Sequence, residues 1–135
     1  RRQRQMCIRD SSKDAVEASF AQGKIVFFAG GTGHPYFSTD TATVLRAVEI
    51  EAEAILLAKA VDGIYDSDPK TNSNAVKYDE ISIEEVVAKK LAAMDLTASI
   101  MCMEQKMPML VFALDEKDSI INAVHGKFVG TKVTV

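Results

Sequence analysis

Phe28-Ala29-Gly30-Gly31-Thr32-Gly33-His34-Pro35-Tyr36-Phe37-Ser38-Thr39-Asp40 decides how the rest of this 135-residue chain is read. An apolar run, Ile25-Val26-Phe27-Phe28, leads into it and predicts a buried strand. Thr41-Ala42-Thr43-Val44-Leu45-Arg46-Ala47-Val48 leads out of it and predicts a helix. Free backbone amides and the helix dipole converge where a strand, a glycine-rich loop and a helix N-terminus meet. Such a place suits an anion, a phosphate first of all. A tight turn that lets backbones pack closely explains the glycines as well. The loop is not a Walker A motif, because no Lys-Ser/Thr follows at the right spacing. Nor is it a dinucleotide fingerprint, since Tyr36 stands where the third glycine belongs.

Outward from this loop, helical and strand patterns alternate. Residues 14–22 suit a short helix with Val16 and Phe20 on one face and Gly23 as its stop. Residues 24–29 read as a strand, and 40–50 as a helix with Val44, Leu45 and Val48 on its apolar side. The continuous apolar run 54–58 predicts a strand covered on both faces. A polar loop, 62–79, follows. Ser82 with Glu85 is a capping-box signature for a helix through Leu91, and Asp95 opens another to about Gln105. Pro108 bars its continuation, and 109–114 reads as a third strand. Asp118 or Ser119 would cap a helix ending at His125-Gly126, and 129–135 gives a last strand. The implied class is α/β, a mostly parallel sheet flanked by helices. Ligands in such sheets lie beyond the carboxyl ends of the strands. The loops after Phe28, Ala58 and Leu114 are therefore expected on one rim.

Bulk properties narrow the function. Hydrophobic content of 47% and charged content of 26% describe an ordinary globular domain. The net charge of −3, with no basic stripe beyond the first nine residues, argues against a nucleic-acid surface. An anionic ligand must then be met by local groups. No apolar run reaches the roughly 18 residues of a membrane span, and nothing resembles a signal peptide. Cys7 and Cys102 lie far apart without metal-like spacing, which reads as two free thiols in a reducing, cytoplasmic setting. Residues 1–11, with four arginines, share no periodicity with the remainder of the chain. They resemble a translated adapter and read as a leader foreign to the domain, which would span 12–135.

Asp40 is either a helix cap, a role Ser38 or Thr39 also fits, or a carboxylate that organises a lysine or magnesium ion beside a phosphate. Asp62-Gly63-Ile64-Tyr65-Asp66-Ser67-Asp68-Pro69 is turn chemistry on its bland reading. An EF-hand fails there because Pro69 and Lys70 break the ligand spacing. On the functional reading Tyr65 covers an adenine base and Asp68 meets ribose hydroxyls or a magnesium shell. The five methionines from Met94 to Met109 fill core. His34 and His125 have no partners at metal spacing, so no metal site held by protein ligands is expected, and no Ser-His-Asp arrangement is available.

Taken together these motifs resemble the bacterial UMP kinases (uridylate kinases) of the amino acid kinase fold. The resemblance rests on residues 29–42, then Val61-Asp62-Gly63-Ile64-Tyr65-Asp66-Ser67-Asp68-Pro69. Val76-Lys77-Tyr78, Met94-Asp95-Leu96-Thr97-Ala98, Pro108-Met109-Leu110-Val111-Phe112 and Gly130-Thr131 continue it in order. It implies transfer of the ATP γ-phosphoryl to UMP, giving UDP, with Mg²⁺, in pyrimidine nucleotide biosynthesis. Thr32, Gly33, His34, Pro35, Tyr36, Phe37, Ser38 and Thr39 would bind UMP. Gly30, Gly31, Lys59, Tyr65 and Asp68 would contact ATP, while Asp40 and Asp95 would serve catalysis. The partners implied are UMP, ATP and further copies of the chain, a hexamer in the family; neither nucleic acid nor membrane is expected.

Two residues depart from the family pattern: His34 stands where asparagine is usual, and Lys59 where threonine or asparagine is common. The resemblance places this chain as the C-terminal, ATP-binding part of the domain, inactive by itself because the first strand with its phosphate-binding lysine lies in the other half. A non-catalytic nucleotide-binding or oligomer-forming module is the alternative of a different class. Another kinase of the same fold, acting on an amino acid or carbamate, is a third.

Overall fold

The computed structural model describes residues 13–127 and 129–135. The expectations for the leader and for Cys7 lie outside the described residues. The chain divides into two compact units, Arg1–Ala52 and Glu53–Val135.

In the first unit, α1 (Lys13–Phe20) buries Val16. Gly23 at φ +68° stops it, its amide bonding the Phe20 carbonyl at 2.8 Å. Next, α2 (Thr39–Glu49) buries Thr41, Ala42, Val44 and Ala47 on one stripe. Leu45 and Val48, expected on that stripe, are only half-buried.

The strand expected at 24–29 does not form. Its backbone has no ladder partner among the described residues, and Ile25 and Phe27 stand 83% and 90% exposed. A β-prone run becomes a strand only when a neighbour takes its N–H and C=O groups, and propensity alone does not supply one.

The second unit is built on four strands: β1 (Ile55–Lys59), β2 (Glu80–Ser82), β3 (Met109–Ala113) and β4 (Thr131–Thr134), in the order β1-β3-β4-β2. Two of the three pairings are parallel, β1 with β3 and β2 with β4, while β3 and β4 run antiparallel. The mostly parallel α/β class therefore holds. Three helices accompany the sheet: α3 (Ile83–Ala88), α4 (Leu96–Glu104) and α5 (Ser119–Val124). Alternate residues Ile55, Leu57, Met109, Val111 and Val133 supply a core shared with Ile83, Val86, Ala98 and Cys102. Burial pushes the Cys102 thiol up to about 11.

Coverage of β1 on both faces is not observed, because Leu56 is 43% exposed. Among the described residues β1 is an edge strand, with a neighbour on one side only. Register places Lys59 opposite Ala113, and the Leu114 amide bonds the Lys59 carbonyl at 2.7 Å. The loops after β1 and β3 thus leave the same sheet end, as expected. The strand expected to carry the third loop of that rim, ending at Phe28, does not form.

All five helices among the described residues end alike. A residue at positive φ follows the last turn, and two amides fold back onto carbonyls three and five residues earlier. In α1 and α5 that residue is Gly23 or Gly126; in α2, α3 and α4 it is Glu51, Lys90 or Lys106. Helix starts are equally local. Ser82 caps α3 through the Glu85 amide at 3.1 Å, but the reciprocal half of the box is absent because Glu85 pairs with Lys89. At α5 the capping expectation fails: Asp118 occupies the cap position at φ +60° without a side-chain bond, and the Ser119 hydroxyl donates to the Leu114 carbonyl.

Candidate active site

The glycine loop lies wholly in the first unit. Gly30, Gly31 and Gly33 take φ of +93°, +64° and +72°, and a Cβ at any of them would meet open space. Backbone conformation, not packing, therefore requires glycine there, which favours the open loop over the close-packing turn. Tyr36 adopts φ +73° although it is not glycine, and its ring is fully exposed. A bulky residue held in that region is locally strained, and such strain gathers at ligand-binding segments. Residues 30–35 and 37–39 line an open concavity of about 500 Å³.

Inside the loop, the Thr32 hydroxyl accepts the His34 amide at 3.2 Å and donates to the His34 carbonyl at 3.3 Å. Ser38, not Asp40, caps α2, its hydroxyl accepting the Thr41 amide at 3.1 Å. The capping alternative for Asp40 is thereby answered. Its half-buried carboxylate sits in the first turn, where the dipole favours negative charge.

The remaining predicted residues belong to the second unit. Lys59 ends β1, and the loop it feeds is pinned by a polar clasp that sequence reasoning missed. The Tyr65 hydroxyl donates to Asp62 Oδ1 at 2.7 Å, and Lys77 Nζ bonds Asp62 Oδ2 at 2.9 Å. The Tyr65 hydrogen bond first, then Lys77, holds the Asp62 carboxyl below the usual carboxylate range. Asp62 in turn raises both Tyr65 and Lys77. Beneath the clasp, the buried Thr131 hydroxyl accepts the Ile64 amide at 2.8 Å and donates to the Tyr78 carbonyl at 2.5 Å. Nothing in the local sequence points at Lys77 or Thr131, which lie 15 and 67 residues from their partners Asp62 and Ile64.

Tyr65 is thus engaged through its hydroxyl while its ring is half-buried. Asp68 is exposed, its Oδ1 accepting the Lys70 amide at 2.9 Å in a local turn. Asp95 caps α4, accepting the Ala98 amide at 2.9 Å. The loop with Asp40 lies in one unit, and Lys59 with the Tyr65–Asp68 loop at the carboxyl end of β1 lies in the other. Asp95 adds a structural duty to its expected one. Among the described residues no three His, Cys, Asp or Glu side chains gather as a metal cage.

Residues 2–113 match the amino acid kinase family. The chain belongs to that family. Among solved structures it is similar to the UMP kinase of Ureaplasma parvum, at 37% identity and a TM-score of 0.85 over 92% of this chain and 53% of that one. The UMP kinase of Bacillus anthracis matches at 35% identity and 0.85, over 91% and 51%. The uridylate kinase of Archaeoglobus fulgidus matches at 30% and 0.74, over 92% and 58%. The chain therefore spans about half the length of these kinases. No helix among the described residues is long and apolar enough to cross a membrane.

Proposed function

We propose that this chain carries nucleotide-binding elements of a UMP kinase, which transfers the γ-phosphoryl of ATP to UMP with Mg²⁺ in pyrimidine nucleotide synthesis. The observation that carries this reading is the combination of 35–37% identity to two UMP kinases with a glycine loop whose φ values only glycine adopts without strain.

Phosphoryl transfer asks little covalent work of a protein; positioning and neutralisation of developing charge carry it. In this reading residues 32–39 hold the acceptor UMP, with the hydroxyls of Thr32, Ser38 and Thr39 and the loop amides as neutral donors. Gly30, Gly31, Lys59, Tyr65 and Asp68 serve ATP. The Lys59 ammonium offsets phosphate charge, and the clasp on Tyr65 holds its ring in one orientation. Asp40 and Asp95 orient the reacting groups. Mg²⁺ supplies charge neutralisation on the ATP phosphates. The 12–135 segment acts as the ATP-side part of the domain, and assembly with further copies, in the cytoplasm, follows the family pattern.

Calorimetry with UMP, CMP and glutamate tests the acceptor, with UMP alone expected to bind. A coupled assay for UMP-dependent ADP release tests turnover, expected to be slight for these 135 residues by themselves. A binding module without turnover is the second reading. It prevails if the chain joined to the other half of such a kinase still binds UMP without releasing ADP.

A further inference from the structure

Residues 64–78 form a loop of two arms that run back along each other. Tyr65 and Lys77 make an antiparallel bridge across it. On either side of that bridge the Asp66 amide bonds the Val76 carbonyl at 3.1 Å and the Tyr78 amide bonds the Ile64 carbonyl at 2.9 Å. The Asp66 carboxylate adds a further tie, accepting the Val76 amide at 2.9 Å. At the base, the Thr131 hydroxyl holds one group from each arm, the Ile64 amide and the Tyr78 carbonyl. Lys77 reaches from the second arm to the residues that precede the first. Its stem lies against Gly63, where an added Cβ would stand 2.9 Å from Lys77 Cδ. Its ammonium bonds Asp62 Oδ2 at 2.9 Å, while the Tyr65 hydroxyl donates to Asp62 Oδ1 at 2.7 Å. The Lys77 side chain is 25% exposed and that of Asp62 34%, so water screens this pair less than it does a fully exposed one.

We infer, on the ATP reading above, that Lys77 is a positioning residue for nucleoside triphosphate binding, latching the 64–78 loop through Asp62 so that the Tyr65 ring is presented in one arrangement. With both oxygens engaged, the Asp62 carboxylate is a junction between the two arms, and turning it breaks a charge-assisted hydrogen bond. Without the ammonium, one oxygen is released to water and the carboxylate can swing outward, carrying the Tyr65 hydroxyl with it. The backbone ties and Thr131 keep the loop folded, but the ring then samples several arrangements. Apparent affinity falls in proportion to the fraction of molecules still in the competent one. A drop of that fraction to between a third and a tenth weakens binding roughly three- to tenfold. Lys77 thus acts on the nucleotide through Asp62 and Tyr65, without touching it.

The test is calorimetric titration of MgATP into the 135-residue chain as wild type, Lys77→Met, Lys77→Arg, Tyr65→Phe and the double variant K77M/Y65F. K77M keeps the length of the stem and removes the charge; it should weaken ATP binding three- to tenfold with an unchanged circular dichroism spectrum. K77R, which restores a cation, should recover most of that loss. Y65F frees the ring from the junction and should weaken binding to a similar extent. Adding K77M to Y65F should then cost less than twofold, because the ring is already released. Wild-type affinity in K77M overturns the role of Lys77 and leaves the ATP reading standing. An equal loss from K77M in both backgrounds overturns it as well, since Lys77 would then act independently of Tyr65. If K77M unfolds, K77R decides: an affinity as weak as that of Y65F overturns the latch. Failure of the wild-type chain to bind ATP overturns the ATP reading, and this inference with it.

Discussion

Gly63 and Thr131 show how much one contact decides in this protein. A Cβ on Gly63 would lie 2.6 Å from the Thr131 hydroxyl oxygen and 2.9 Å from Lys77 Cδ. The lysine stem can yield, but the buried hydroxyl, bonded on both sides, cannot. Gly63→Ala should cost about 1–3 kcal/mol, as overpacking does. Thr131→Val keeps the shape but leaves the Ile64 amide and Tyr78 carbonyl without partners, an expected loss of about 2 kcal/mol. Urea denaturation checks both. Asp62 adds a pH signature. Its carboxyl is held low in the folded state, so its stabilising contribution is fully present above the ordinary carboxylate value and fades as pH falls through the lowered one. Asp62→Asn should flatten the acid limb of a stability-against-pH curve. An unchanged limb would mean that the clasp does not hold in solution.

At the scale of elements, caps and stops explain why these helices begin and end where they do. Glu51, Lys90 and Lys106 hold left-handed backbone where glycine is at ease. Lys106→Gly should therefore raise stability by roughly 0.5–1 kcal/mol, whereas a glycine one turn earlier, inside α4, should lower it by a similar amount. Thermal melts of the two variants decide. Asp95 poses a sharper question, since it caps α4 and is also proposed to serve catalysis. Asp95→Ser keeps a capping oxygen and should leave the melting temperature nearly unchanged. Asp95→Ala should cost about 1 kcal/mol. If the carboxylate serves catalysis, the serine variant, placed in the chain joined to the other half of a kinase, loses turnover without losing stability. Asp40 is simpler, because Ser38 already caps its helix.

For the whole molecule, the most consequential feature is the apolar segment 24–29, mostly exposed and without a ladder partner among the described residues. Exposed, unpaired, β-prone backbone is a template for association. Phe27→Lys places a charge in that template and should lower self-association in sedimentation velocity runs; undiminished association would locate the contact elsewhere. The segment precedes the glycine loop directly, so its pairing in a longer chain would also bear on how that loop is held.

Two helix starts and two stops were legible in the sequence because capping chemistry spans a single turn: Ser82, Asp95, Gly23 and Gly126 act on amides and carbonyls close by in the chain. The glycine loop was legible for the same reason, since positive φ is a property of one residue. The segment 24–29 carried a strand signal as strong as that of β1, yet only β1 became a strand. The three-residue β2 is too short for periodicity to register, and the antiparallel pairing of β4 with β3 leaves no mark on its sequence. The clasp of Asp62, Tyr65 and Lys77 over Thr131 brings together residues distant in the chain. Local chemistry, then, was written in the order of the residues. Pairing, register and buried polar partners were settled only by the folded chain, because each depends on which distant group arrives to complete it.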